Sequence, residues 1–175
     1  MMAQLIPESS ESLTRMANEI FELTKMAWRQ RLAVRASDTE TELSESQFLT
    51  LDSLIRQDRQ TVGELQRYLG VIPAQMSRII RSLEGGFPRP LIACALNPKD
   101  KRKIDVTLTA AGRTVYETFK QGRLERSLYI LRGLSHQDRT DFVRVCQHMR
   151  DLYAKDEATR SADSGGAASS GEEPL

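Results

Sequence analysis

Two short stretches hold residues whose types and spacing suit recognition of a polyanion. The first is Pro73-Ala74-Gln75-Met76-Ser77-Arg78-Ile79-Ile80-Arg81-Ser82-Leu83. On a helix, Met76, Ile79, Ile80 and Leu83 share one apolar face. Pro73, Ala74, Gln75, Ser77, Arg78 and Arg81 are then left pointing outward, with no acid until Glu84. Glutamine pairs bidentately with adenine and arginine with guanine in a major groove, while serine and a second arginine suit phosphates. The second stretch is Lys99-Asp100-Lys101-Arg102-Lys103, four cations around one carboxylate directly after the turn-forming pair Asn97-Pro98. The lysines of this stretch suit phosphates.

Charge along the chain follows the same division. The net charge is +1 overall, but +5 between residues 61 and 113, with −3 before and −1 after. A basic zone between acidic flanks fits an element that meets phosphates. Chance clustering on solvated faces would give the same numbers, and charge alone does not separate the two readings.

Catalytic and metal constellations are not visible. Two cysteines, Cys94 and Cys146, and two histidines, His136 and His148, lack metal-ligand spacing. No glycine-rich phosphate loop and no nucleophile–base pairing is signalled, so neither an enzyme nor a cofactor is expected. The cysteines read as packing residues, with an oxidation sensor at Cys94 as the alternative. The opening Met1-Met2-Ala3-Gln4-Leu5-Ile6-Pro7 lacks the pattern of a signal peptide, and no apolar run approaches a membrane span. A cytoplasmic protein without membrane contact is expected.

The elements that must position these residues are mostly helical. Leu13, Met16, Ala17, Ile20, Leu23, Ala27 and Trp28 predict a helix over 10–36, followed by a polar connection over 37–43. Ser44-Glu45-Ser46-Gln47 and Thr61-Val62-Gly63-Glu64 are capping boxes that open two further helices. Gly70 is placed to stop the second of these, and Pro73 to start the next. Gly85-Gly86-Phe87-Pro88-Arg89-Pro90 breaks the helical pattern. Strands over 91–96 and 104–108 are then expected to form a hairpin around the turn at 97–100. A helix over about 110–131 and a last one capped by Ser135 follow, the latter with Phe142, Val145, Cys146, Met149, Leu152 and Tyr153.

Two short helices joined by a tight turn and followed by a strand hairpin define a winged helix-turn-helix. The fold class expected is therefore mainly α with a small β-hairpin. One domain is expected over 1–158, with its DNA-binding lobe at about 44–109. Flanking helices at about 10–36 and 110–155 and a disordered polar tail at 159–175 complete it. The apolar stripes of the flanking helices need partners, in a second subunit or within the chain.

The ordered set of motifs resembles the MarR (multiple antibiotic resistance regulator) family. Residues 71–84 look like its recognition helix and 44–51 like the helix before the motif. Asp100-Lys101-Arg102 followed by Leu108-Thr109-Ala110-Ala111-Gly112 matches its wing signature in order and spacing. The resemblance covers about residues 10–155. It implies a sequence-specific regulator of transcription, more often a repressor, that binds double-stranded DNA as a homodimer at a near-palindromic site. It also implies that Arg102 reaches the minor groove or its phosphates while Asp100 orients it. The terminal helices would then interlock between subunits through Leu13, Met16, Ile20, Phe142, Val145, Met149 and Leu152. A small-molecule effector is a further implication, with Trp28 and Phe21 as pocket candidates against the plainer reading of helix packing. Arg29, Arg31 and Arg35 suit the negative end of their helix, and an anionic ligand is the alternative. The longer segment 85–90, and Ala93-Cys94-Ala95 where arginines are usual, depart from the family pattern. The alternative function is a winged helix used for protein contact, against which the outward cations argue.

Overall fold

The computed structural model describes residues 10–35 and 43–166. Its elements are α1 (Ser10–Arg35), α2 (Glu45–Arg56), β1 (Arg59–Thr61), α3 (Val62–Leu69), α4 (Pro73–Gly85), β2 (Ile92–Leu96), β3 (Ile104–Leu108), α5 (Ala110–Arg132) and α6 (His136–Gly166). The chain divides into two compact units, Met1–Lys120 and Gln121–Leu175, with α5 running through the boundary.

Local chemistry sets the helix boundaries of the first unit. Both capping boxes form. Ser44 and Gln47 cap α2 reciprocally, as Thr61 and Glu64 cap α3. Gly70 ends α3 with φ 63°, the left-handed conformation that glycine adopts without a Cβ penalty. Pro73 occupies the first turn of α4, where its missing amide costs nothing. Leu43, assigned by composition to the polar connection, is instead buried. It precedes the cap residue and Phe48 occupies the fourth helical position, the placement of a hydrophobic staple. The rest of that connection, 37–42, lies outside the described residues, as does Ala36.

The core joins α2, α3, α4, the sheet and the first half of α5. Leu43, Leu51, Leu54, Leu65, Met76, Ile79, Ile80, Leu83, Leu91, Ile92, Val106 and Tyr116 form one buried cluster. Tyr116 of α5 stacks on Phe48 at 5.2 Å, and its hydroxyl donates to Asp52 Oδ1 at 2.6 Å. Arg56 Nη2 pairs with the other oxygen of Asp52 at 2.7 Å. These contacts hold the first half of α5 against α2.

The sheet is larger than the expected hairpin. It is three-stranded and antiparallel, in the order β1-β3-β2. β1 pairs with β3 through Arg59↔Thr107, Gln60↔Val106 and Thr61↔Asp105. Gln60 is buried on the core side and is satisfied there, donating Nε2 to Ser53 O at 2.9 Å and accepting from Ser53 Oγ at 3.1 Å.

In the second unit, Ser135 caps α6 by accepting from the Asp138 amide at 3.1 Å. The helix continues to Gly166, past residue 159 where composition places the start of the polar tail. Ala158, Thr159, Arg160, Ser161 and Ala162 contain neither proline nor glycine, so nothing in the backbone stops α6 before Gly165. Residues 167–175 lie outside the described residues.

Candidate nucleic-acid interface

Helix α4 divides as its periodicity predicts. Met76, Ile79, Ile80 and Leu83 are buried, and Pro73, Ala74, Gln75, Ser77, Arg78 and Arg81 are exposed. Its first turn holds no acidic residue, and Ile72 at the cap position makes no side-chain cap. The leading amides thus keep their attraction for an anion. On the inner side Gln47 Nε2 donates to Ser82 Oγ at 2.8 Å, tying α4 to the capping box of α2. Arg81 Nε donates to Ser77 O at 3.3 Å, laying that side chain along the helix.

The segment 85–90 returns the chain to the sheet without loosening the lobe. Leu91 N donates to Leu83 O at 2.8 Å, and Phe87 packs against the core. The Leu108-Thr109-Ala110-Ala111-Gly112 motif has a physical purpose here. Thr109 N donates to Leu91 O at 3.1 Å, and Thr109 Oγ1 donates to Pro90 O at 2.7 Å. The same hydroxyl accepts from Gly112 N at 3.0 Å. A Cβ on Gly112 would sit 2.0 Å from Leu91 O. The motif locks the start of α5 onto the strand that carries the wing.

At the hairpin tip Asn97 Oδ1 accepts from the amides of Lys99 and Asp100, both at 2.9 Å. Asp100 Oδ1 in turn accepts from Arg102 N at 3.1 Å and Arg102 Nε at 3.2 Å. The bond to the Arg102 side chain, then that to its backbone amide, holds the Asp100 carboxyl below the usual carboxylate range, with Lys103 nearby adding to it. Arg102 is 92% exposed, so the aspartate orients it without covering it. Lys99, Lys101 and Lys103 are exposed around it.

Residue types hid three features of this lobe. Gln60, Asp105 and Arg59 read as ordinary polar residues, yet Gln60 and Asp105 are buried and Arg59 Nη1 lies 3.9 Å from Asp105 Oδ2. Strand pairing places them, and no local spacing signals it.

Residues 43–104 match the MarR family model. The match is confined to this lobe, which has the winged-helix fold. Comparison with curated protein sequences finds no match. Among solved structures the fold resembles YusO from Bacillus subtilis, with TM-score 0.64, 22% identity, and 82% of this chain and 99% of that one covered. It also resembles Streptococcus pneumoniae FabT, solved in complex with DNA, with TM-score 0.66, 16% identity and coverages of 84% and 99%. A third is Bordetella bronchiseptica BpsR, whose DNA binding is regulated by 6-hydroxynicotinic acid, with TM-score 0.54, 22% identity and coverages of 75% and 98%. At these identities the likeness is one of fold.

The other candidate residues fall as follows. Cys94 faces the core side of β2, partly buried, and burial followed by the neighbouring Glu84 carboxylate pushes its thiol pKa up. A thiol so held is a poor nucleophile, which favours packing over sensing. Phe21 and Trp28 on α1 are exposed, Phe21 with Lys25 Nζ 5.8 Å from its ring. Arg29 is exposed, and the side chains of Arg31 and Arg35 lie outside the described residues. Among the described residues no group of three or more His, Cys, Asp or Glu could hold a metal ion, and no helix is long and apolar enough to cross a membrane.

Proposed function

We propose that the chain is a sequence-specific regulator of transcription that binds double-stranded DNA as a homodimer in the cytoplasm. The observation that carries this reading is Arg102, held by Asp100 through two hydrogen bonds yet 92% exposed at a cationic hairpin tip. An acid-free outward face on α4 supports it. In this reading Gln75 and Arg78 read base edges in the major groove. Ser77, Arg81 and the leading turn at Pro73 and Ala74 meet backbone phosphates and sugars, and Arg102 enters the neighbouring minor groove. Lys99, Lys101 and Lys103 hold flanking phosphates.

The dimer brings two such helices about one turn of DNA apart, so the site is near-palindromic. Exposed apolar stripes on the terminal helices support a second subunit. Leu13, Met16 and Ile20 recur on one face of α1, and Phe142, Val145, Met149 and Leu152 on one face of α6. Ile20 is 52% and Leu152 64% exposed. A repressor relieved by a small molecule fits the structural relative whose DNA binding responds to 6-hydroxynicotinic acid.

Arg102→Ala should weaken binding to a selected site by about 1–3 kcal/mol while leaving the oligomeric state unchanged. Arg78→Ala should cost a similar amount on that site and much less on random duplex. Fluorescence anisotropy on both duplexes measures the two together. Wild-type affinity in the Arg102 variant would remove the wing from the interface.

A further inference from the structure

We infer that Asp105 is a positioning residue for the wing, holding through Asn97 the tip that presents Arg102. Its consequence for DNA rests on the regulator reading above; its consequence for the tip does not. β2 and β3 run out of the core at their distal ends, where the cross-strand partners Leu96 and Ile104 are 66% and 44% exposed. Beyond them the tip is shaped by hydrogen bonds. Asn97 N donates to Lys103 O at 3.0 Å, Lys103 N donates to Asp100 O at 2.9 Å, and Asn97 Oδ1 takes two amides. The Asn97 side chain is therefore the hub of the tip, and its one remaining group, Nδ2, donates to Asp105 Oδ1 at 2.7 Å.

Asp105 is an unusual place for a carboxylate. It lies in the central strand, between Thr61 and Ala95, and its side chain is only 6% exposed. Burying a charge is costly unless it is bonded, and an apolar residue would sit in this sheet more cheaply. The bonds it makes point in two directions. Oδ1 takes Asn97 at the tip, and Oδ2 faces Arg59 of β1 at 3.9 Å. Asp105 thus joins the edge strand of the lobe to the wing tip, and Asp100, placed by Asn97, joins the tip to Arg102.

Exchanging the two side chains tests this in the full-length protein. In Asn97→Asp the turn keeps its acceptor oxygen, but a carboxylate replaces the amide donor 2.7 Å from Asp105. In the double variant Asn97→Asp/Asp105→Asn the donor returns from the other side, and net charge is that of the wild type. Amide hydrogen exchange of residues 99–103 is measured by NMR without DNA, and binding is measured on a mixed-sequence duplex long enough for two half-sites. Asn97→Asp should exchange at the tip about tenfold faster, the equivalent of roughly one lost hydrogen bond. The double variant should return to the wild-type exchange rate and recover wild-type affinity within about twofold. Asn97→Ser, which keeps a turn-forming oxygen too short to reach Asp105, should loosen the tip as Asn97→Asp does, and it serves if the latter fails to fold. Wild-type exchange in both single variants, or a double variant as loose as Asn97→Asp, overturns the inference. Wild-type protein that binds no duplex refutes the regulator reading and leaves the exchange result to decide the role of Asp105.

Discussion

At the scale of single residues, Gly112 and Gly122 sit on the same helix and should respond oppositely to alanine. A Cβ at Gly112 falls 2.0 Å from the Leu91 carbonyl oxygen and 2.8 Å from Leu108 Cδ1, so strand and helix must separate. Gly112→Ala should destabilise by about 3 kcal/mol, the upper end of overpacking costs. At Gly122 the added methyl meets nothing within 4 Å, and Gly122→Ala should stabilise by roughly 0.5–1 kcal/mol through helix propensity. Urea midpoints of the two variants check both signs. Tyr116 supplies a pH test. Burial, then its bond to the Asp52 carboxylate, pushes its phenol up to about 12. The unfolded phenol ionises near 10. The neutral form is therefore favoured in the fold, its contribution is fully present below pH 10, and it is lost as pH rises toward 12. Tyr116→Phe should lose less stability than wild type between those limits in urea titrations. Parallel losses would show that the bond to Asp52 contributes nothing.

At the scale of elements, legibility tracks how local the determining interaction is. Ser44–Gln47, Thr61–Glu64, Gly70 and Pro73 act within one helical turn, and each was readable as a helix start or stop. The outward face of α4 was readable because period alone sets it. β1 was not, because three residues carry no alternation and its partner strand lies more than forty residues on, Arg59 opposite Thr107. The burial of Gln60 and Asp105 follows from that pairing and was hidden with it. Leu43 is not legible from composition because its neighbours are polar, while its own position before a helix cap decides its burial. The Asp100–Arg102 pairing was expected from family likeness, and its two hydrogen bonds give the likeness a mechanism.

At the scale of the whole molecule, α1 and α6 each expose a stripe of large apolar side chains. Large apolar side chains return roughly 1.5–3 kcal/mol each when fully buried, so such faces favour association. Ile20→Glu combined with Leu152→Glu should convert a dimer to monomers in sedimentation equilibrium while the lobe stays folded by circular dichroism. A wild-type chain that sediments as a monomer would overturn the dimer. In the proposed regulator, α4 and the Arg102 tip engage a duplex together. Repeated selection of bound fragments from a random-sequence duplex pool tests it most directly. Enrichment of a two-fold symmetric site is expected, with half-sites about one helical turn apart, roughly 10 base pairs. Enrichment of no sequence, with retention equal to that of an Arg78→Ala/Arg102→Ala variant, would contradict it.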